Sequence, residues 1–592
     1  MHRPTLHTQM TLVHVGLVLF GSIFFFPLQA SAQGLSVLSV SPASQAISAP
    51  ADTSITVTFD RELDPSSVTT QNFWAFGRWS GTVTGTVTVS PDGFSATLNP
   101  SSPFSAGENV MVLLSQSLTA IDGTNLSPGG YSFLFWVASQ PANLQFTRID
   151  EFTTRTFPGI STRSYGGVGC DLDEDGHLDI AVINEDSADL RVYLNRADGT
   201  GLFGSMVNPP AAVNFQASPN EPGDFNRDGH IDLVVGNIAT DTISVLLGNG
   251  DGSFAPQQQI AVGDAPRGVA VLDVDGDADM DIAVANFNSS NLCVLLNNGA
   301  GVFGAPTFFE GGAVGERSLA AADFDGDGLL DLACGARSAG RMLILLSNGN
   351  GTFTNVESQP GLAGTWMIAL GDLNGDGNVD ITSVNSNQNT GSVNFGNGDG
   401  TVGPTISYPT DPFALATDVG DMDGDGDLDW VTSSFSGDWF LFLNDGNGNF
   451  TFAEEFLAPI AASCAVMMDI DTDGDLDLTL IDELEDVVIL ERNGPVVTNP
   501  EFIRGDTNED GVINVADVIQ SLNHLFIIVT PPPCLDAHDF NDDGSLDISD
   551  PITGLAYLFS GAAPPPPPFP GCGVDPSTPD SLDCASSPAN CP

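Results

Sequence analysis

The sequence predicts a mainly β chain, with a β-sandwich first, a closed ring of repeated sheets at its centre and a small α-helical module last. Three observations carry that reading. One acidic loop, D-x-D/N-x-D-G/A-x-x-D, recurs seven times, starting at Asp171, Asp224, Asp273, Asp323, Asp372, Asp421 and Asp469. Successive starts lie 53, 49, 50, 49, 49 and 48 residues apart, and a period near fifty marks a propeller or a related array. The 65 Gly residues and the short apolar runs between turns suit a strand-rich chain.

The elements follow in chain order. Arg3 stands in a short polar start, an apolar run extends from Thr11 to about Leu28, and Ala30-Ser31-Ala32 offers a small-x-small cleavage site before Gln33. Residues 1–32 therefore read as a secretory signal peptide cleaved after Ala32, because the apolar run is short for a bilayer span of roughly 20 residues. The mature chain is expected to be secreted or held at the cell surface, with no transmembrane segment. It carries 76 acidic residues against 15 basic ones, all of them Arg, for a formal net charge of −61. Such a chain has no basic footprint for nucleic acid. Metal ions are its natural counter-charge. Only 15% of residues are charged and 41% are apolar, the balance of a globular chain and not of an acidic coil.

Residues 33–140 lack the repeat. Ile55-Thr-Val-Thr-Phe59, residues 84–89 and residues 109–114 alternate in polarity, separated by turns such as Pro91-Asp-Gly93 and Ser127-Pro-Gly-Gly130. Short alternating strands at this spacing read as a β-sandwich. From Ser41-Pro42 through Thr58-Phe59-Asp60 and Leu63-Asp64 to Phe133-Leu-Phe-Trp-Val137, the segment resembles the Ig-like domain of bacterial surface proteins. Trp74, Phe76 and Trp79 are expected in the core or against the repeats, ahead of an exposed aromatic binding face.

Residues 144–497 hold the repeats. An apolar strand enters each acidic loop, a second leaves it, as in Asp281-Ile-Ala-Val-Ala285, and a third follows, as in Ile243-Ser-Val-Leu-Leu247. Next comes a Gly-rich hairpin, as in Asn249-Gly-Asp-Gly-Ser-Phe254, Asn298-Gly-Ala-Gly-Val-Phe303, Asn348-Gly-Asn-Gly-Thr-Phe353 and Asp445-Gly-Asn-Gly-Asn-Phe450. Asn-Gly and Asp-Gly take positive φ at low cost, which tight hairpins require. A fourth strand completes the sheet. The last repeat has none after Val487-Val-Ile-Leu490, so a strand within residues 144–157 is expected to complete it and fasten the ring. This pattern, with N-G-x-G-x-F after it, resembles the FG-GAP/VCBS repeats of integrin α-type propellers, here with seven blades. One loop departs, with Ala278 at the usual Gly.

Positions 1, 3, 5 and 9 of each loop bring side-chain oxygens together, which favours a hard divalent cation. The expected calcium ligands of the first loop are Asp171, Asp173, Asp175 and Asp179. The second loop offers Asp224, Asn226, Asp228 and Asp232, and the third Asp273, Asp275, Asp277 and Asp281. The fourth offers Asp323, Asp325, Asp327 and Asp331, and the fifth Asp372, Asn374, Asp376 and Asp380. The sixth offers Asp421, Asp423, Asp425 and Asp429, and the seventh Asp469, Asp471, Asp473 and Asp477. The resemblance implies that the position-7 backbone carbonyl joins each set. Magnesium suits such cages less, because it keeps its waters.

Residues 500–560 carry two twelve-residue loops of EF-hand pattern. Asp506, Asn508, Asp510, Asn514 and Asp517 mark the first; Asp539, Asn541, Asp543, Asp547 and Asp550 mark the second. Up to nine Ca²⁺ sites are thus expected along the chain. Val518, Leu522 and Leu525, then Ile552, Leu555 and Leu558, recur at helical spacing. Paired loop–helix units ending in Asp resemble a type I dockerin, which implies a cohesin-like partner. Val515-Ala516 and Ile548-Ser549 depart from the Ser/Thr pairs of cellulosomal dockerins, which leaves an anchoring or sorting module as the other reading.

Arg504-Gly505-Asp506 is read as a chance match to the integrin-ligand tripeptide. In the tail, residues 561–592, Pro564–Pro568 reads as a stiff linker. Cys534, Cys572, Cys584 and Cys591 point to two disulfides in one of three pairings. Zinc lacks the CxxC or His spacing it needs. Cys170, Cys293, Cys334 and Cys464 read as buried strand residues, with a Cys170–Cys464 disulfide as the alternative.

No catalytic constellation stands out. Of seven His, three lie in the signal region, His177 and His230 occupy loop position 7, and His524 and His538 belong to the last module. There is no Lys. Nucleophile–base chemistry therefore has no visible pair. Acids outside the loops, such as Glu185, Glu221, Glu310, Glu316, Glu454 and Glu455, form no motif. The expectation is an exported, calcium-binding, non-catalytic binding or adhesion protein whose propeller face meets an extracellular protein or glycan. The alternative is a carbohydrate-binding or hydrolytic subunit of an extracellular polysaccharide-degrading complex.

Overall fold

The computed structural model describes residues 34–360, 364–494, 502–508, 511–527 and 534–572. The expected signal peptide, Asp510, Cys584 and Cys591 lie outside the described residues.

The first module has two four-stranded antiparallel sheets. Val37–Ser41, Ile55–Phe59, Ser95–Pro100 and Gly85–Val89 form one; Gly81–Thr82, Phe73–Gly77, Asn109–Leu114 and Tyr131–Trp136 form the other. In Ile55–Phe59 the apolar residues are buried and the threonines between them are less so, the period of two that one covered face imposes. Phe73–Gly77 is buried throughout because both of its faces are covered. Phe73 and Ala75 join the sandwich core, while Trp74 and Phe76 pack on Phe225, Val269 and Met280 of the repeats.

Among the described residues, seven repeat sheets follow. In the first six, the strands run outward in chain order, and the first sheet gains the short Ala211–Ala212. The seventh joins Ala462–Met468, Asp477–Asp482 and Val487–Arg492 to a strand from the start of the array, Thr147–Thr153. Arg148 to Glu491 at 2.7 Å and Arg155 to Asp486 at 2.8 Å pin that closing strand. The first strands pack side by side in cyclic order, Ser164–Cys170 touching both Ala217–Gly223 and Ala462–Met468. The arrangement is propeller-like. Every second strand, such as Asp331–Ala336, is buried at all six positions, since neighbouring sheets cover both of its faces. Outer strands such as Ile406–Pro409 stay largely exposed.

The sandwich sits on the face that carries the acidic loops. The backbone N–H groups of Gln116, Ser132 and Gln140 donate to the carbonyls of Gly276, Gly328 and Gly474, and Ala142 N–H donates to Asp423. Trp74 Nε1 donates to the Ala278 carbonyl at 2.9 Å, with the Arg227 guanidinium 4.4 Å above its ring. Contact is close enough that a Cβ on Gly276 would clash with the Gly129 backbone. Trp79 is held by Glu108, a fully buried carboxylate that accepts from the N–H groups of Trp79, Ser80 and Ser105. The three aromatics are therefore interface residues.

Cys170, Cys293, Cys334 and Cys464 are free thiols in strands, so the Cys170–Cys464 bridge does not form. Cys534 and Cys572 are disulfide-bonded. Helices α1 (Val515–Phe526) and α2 (Ser549–Ser560) pack together. Asn514 caps α1, its side chain accepting from Ala516 N–H, with Asp517 reaching back to the Asn514 N–H. The expected apolar stripe of α2 is corrected: Ile552 and Leu555 face solvent, and Asp550, Pro551 and Gly554 are buried. The reason is the loop, whose last carboxylate must point inward and so turns the helix. The stiff-linker reading of the proline run is also corrected. Arg504 N–H donates to Pro568, its guanidinium to Pro567, and Phe569 packs edge-on to Tyr557. The run is a strap held against the helix pair. Among the described residues, no helix is long and apolar enough to cross a membrane.

Candidate metal centres

Each acidic loop joins the first strand of a repeat to the second. The position-1 carboxylate accepts backbone N–H bonds from the loop it begins: Asp171 from Asp175 and Gly176, Asp323 from Gly326 and Gly328. Position 6 has positive φ, as at Gly176 with 87° and Gly328 with 86°. Ala278 takes φ 69° at the same place, at a cost of roughly 1 kcal/mol for a residue with a Cβ.

Position 9 does more than the sequence pattern conveys. In every loop this buried Asp takes two backbone N–H groups, one per oxygen. Oδ2 accepts from position 2 of its own loop, as with Leu172 to Asp179 at 2.9 Å and Met422 to Asp429 at 2.9 Å. Oδ1 accepts from the end of the third strand, as with Asn195 to Asp179 at 2.8 Å and Asn444 to Asp429 at 2.9 Å. Asp232, Asp281, Asp331, Asp380 and Asp477 repeat the bracket. It is a structural clamp first, and each oxygen keeps a second lone pair.

Carboxylates converge around this clamp. Oxygens of Asp171, Asp173 and Asp179 lie within 4.8 Å of one another, as do those of Asp273, Asp275 and Asp281, of Asp323, Asp325 and Asp331, and of Asp421, Asp423 and Asp425. Burial, with the neighbouring carboxylates adding to it, pushes Asp179 and Asp331 up to about 8, Asp429 to about 9, and Asp232 and Asp380 to about 7. Asp281 and Asp477 rise well above the carboxylate range for the same reason. At position 1, burial lifts Asp273 and Asp469 to about 7 and Asp171 and Asp421 to about 6. One oxygen each of Asp173, Asp275, Asp421 and Asp471 is buried without a hydrogen-bond partner. Hard oxygens, mutual repulsion and unpartnered buried lone pairs fit a divalent cation. Asp175, Asp228, Asp277, Asp327, Asp376, Asp425 and Asp473 stand at position 5; Asp277, Asp327 and Asp376 each accept the N–H of position 7. Asn226 and Asn374 supply a neutral oxygen at position 3 and accept from Asp228 and Asp376.

Position 7 carries an Asp in three repeats, and in one of them Asp279 pairs with Arg227 at 3.5 Å. Asp427 and Asp475 are the other two, raised to about 7 chiefly by burial, with Asp427 Oδ1 and both oxygens of Asp475 unpartnered. Their side chains add donors that the sequence reading gave only to the backbone.

In the helical module, Asp517 Oδ1 accepts from Thr507 and Asn508, and Oδ2 from Asn514. Gly511 N–H donates to Asp506. In the second loop Asp539 accepts from Asp542 and Gly544, and Asp550 from Asp547. Asp543 accepts from Ser545, Asp547 from Ser549, and one oxygen each of Asn541 and Asp550 is buried without a partner. Arg504 is fully buried and pairs with Asp542 at 3.0 Å, so the Arg-Gly-Asp match offers no exposed arginine.

Two latches went unseen in sequence. The second Gly of the hairpin donates to the preceding repeat's loop, as with Gly252 to Leu172, Gly301 to Phe225, Gly351 to Val274 and Gly400 to Phe324. Asn297 Nδ2 bridges the Phe225 and Met280 carbonyls, and Asn195 bridges Leu178 and Ile470 across the ring closure. Asn444 and Asn493 repeat the bridge. The Asn just after the third strand was the available signal.

Comparison with known proteins identifies the first module and the repeats. Residues 31–137 match the bacterial Ig-like domain. No curated protein matches the chain. Among solved structures, an Agrocybe aegerita lectin described as recognising non-reducing terminal N-acetylglucosamine is 18% identical, with 74% of this chain and 99% of that one covered at a TM-score of 0.39. A protein from Lactobacillus plantarum is 13% identical, with 67% and 98% covered at a TM-score of 0.40. The FG-GAP-like repeat matches residues 171–235, 224–284, 273–334, 323–383, 372–432 and 421–480, windows that contain all seven acidic loops. With more than half of its length so matched, the chain belongs to the FG-GAP-like repeat family.

Proposed function

We propose that this is an exported, calcium-binding, non-catalytic binding or adhesion protein, with a seven-bladed propeller as its scaffold and the helix pair as a docking module. One observation carries the calcium reading: buried like-charged carboxylates, several with an unpartnered oxygen, recur in the same loop of each repeat. A bound Ca²⁺ supplies the positive charge that lets these groups ionise together. Asp171, Asp173, Asp175 and Asp179 would hold it in the first repeat, and their equivalents in the others. The ions would be structural, since the clamp at position 9 already ties each loop to its own third strand.

The docking role is supported by apolar side chains that the helix pair leaves exposed, Ile519, Phe526, Ile552, Leu555 and Phe559. A cohesin-like extracellular protein is the expected partner. Elemental analysis of the mature protein tests the first reading; almost no bound calcium would overturn it. Capture of a cohesin by the full chain, abolished in Ile519→Asp and Ile552→Asp, tests the second. Hydrolysis of any polysaccharide by the pure protein would displace the non-catalytic reading.

A further inference from the structure

The first strands of the repeats surround a channel, and one of its mouths is, on the binding-protein reading, a ligand-binding face. The channel encloses about 300 Å³. At the sandwich end it is lined by Phe76, Arg78 and Trp79. The acidic loops follow the C-terminal ends of the first strands, so the N-terminal ends form the other mouth. The second residue of each first strand lines the channel there, and four of these equivalent positions carry Tyr165, Arg267, Arg317 and Trp366.

In a chain with 15 basic residues and a charge of −61, three arginines meet at this one place. Arg317 is buried, its guanidinium 3.5 Å from the centre of the Trp366 ring. Arg337, from the turn after Asp331–Ala336, lies 4.9 Å from the same ring. Trp366 Nε1 donates to Tyr165 Oη at 2.8 Å, and Arg317 Nη2 reaches that oxygen at 3.5 Å. The Nε atoms of Arg267, Arg317 and Arg337 are buried with no hydrogen-bond partner among the described residues. Glu185, the carboxylate that senses Arg267, is engaged by Arg163 at 3.2 Å. Burial, with the charges of Arg267 and Arg337, pushes Arg317 down to about 9. A positive cluster left short of counter-charge and acceptors is a cost to the free fold that an anion would relieve.

We propose that this mouth is a carboxylate-binding site, in which Arg267, Arg317 and Arg337 take the acid group of a small organic ligand such as an acidic sugar. Planar guanidinium forks match a carboxylate with two parallel bonds. Trp366 and Tyr165 hold the forks in place before the ligand arrives. A neutral sugar offers no charge to offset and should be rejected.

Isothermal titration of the mature, calcium-replete chain tests this with D-galacturonate, succinate and D-galactose. Saturable binding of galacturonate and none of galactose is expected. Binding of succinate as well would support the site and assign recognition to the acid group alone. Arg267→Gln and Arg337→Gln, both at half-buried positions, should each weaken galacturonate about tenfold or more. Arg317→Gln is the less informative variant, because its side chain is part of the packing. No heat from either acid at about 10 mM, or unchanged affinity in both half-buried variants, would overturn the proposal. If neither acid binds while the chain still captures an extracellular ligand, this site falls and the binding-protein reading stands.

Discussion

With calcium in the acidic loops as proposed, its removal should cost this protein more stability the higher the pH. The position-9 carboxylates are the reason. Burial raises Asp429 to about 9, Asp179 and Asp331 to about 8, and Asp232 and Asp380 to about 7, all above the usual 3.8. A carboxyl raised on folding contributes stability that is complete below its unfolded value near 4. That contribution is lost as pH climbs through the folded value. Each pH unit inside the window costs about 1.4 kcal/mol per group, so Asp429 alone loses about 4 kcal/mol between pH 5 and 8. Several such groups together exceed the roughly 5–15 kcal/mol margin of a typical domain. At neutral pH the folded ring must therefore hold protons or cations on these loops. Cations bind the ionised form and compete with protons, so their benefit grows over the same window. Melting temperatures by circular dichroism, chelator-stripped against calcium-replete, should diverge by roughly 10 °C or more between pH 5 and 8. A gap that stays constant or narrows as pH rises would refute the reasoning.

Thr154→Pro would remove the N–H that ties the end of the closing strand to the Asp486 carbonyl, costing about 1–3 kcal/mol, and limited proteolysis should then cut near residue 154 before any other repeat. Asn297→Ala removes both bonds of a cross-repeat latch and should lower stability by about 1–3 kcal/mol while leaving calcium content unchanged, as measured by elemental analysis. Trp74→Ala empties the sandwich–ring contact for about 3–5 kcal/mol, and calorimetry should then show the sandwich melting apart from the ring.

How much of this was legible in the sequence depends on the range of the interaction. The period of the acidic loops, the Gly at position 6 and the strand order are local, and each falls where the pattern put it. Ala278 even adopts the left-handed backbone of the Gly it replaces. What the sequence hid are contacts between repeats. N-G-x-G-x-F reads as a hairpin, yet its second Gly exists to reach the neighbouring loop, as Gly301 reaches Phe225. Asp at position 9 reads as a ligand, yet each of its oxygens also accepts a backbone N–H, a clamp the pattern does not convey. The α2 stripe failed because Ile552 and Leu555 look like core in isolation, and only the inward turn of Asp550 reverses the helix. Pro564–Pro568 looked free because its partner, Arg504, lies some sixty residues earlier.

The placement of the sandwich constrains function more than the loops do. Six of the seven acidic loops meet it or the segment leaving it: Asp171 N–H to Trp79, Asp224 to Thr82, Gly276 to Gln116, Gly328 to Ser132, Asp421 and Asp423 to Ser139 and Ala142, and Gly474 to Gln140. A face closed in this way cannot also present a ligand surface, whatever ions it holds. Charge points the same way. The covered face holds the acidic loops, while the open mouth holds Arg267, Arg317 and Arg337, one-fifth of the 15 basic residues in the chain, with the nearby Glu185 engaged by Arg163. An anionic ligand approaching a body of charge −61 is repelled at long range, and that repulsion weakens within about a Debye length, near 10 Å at moderate salt. Recognition at the open mouth should therefore strengthen as salt rises from very low values, the reverse of an ordinary arginine–carboxylate pair, and titrations of galacturonate across ionic strength would expose that sign directly.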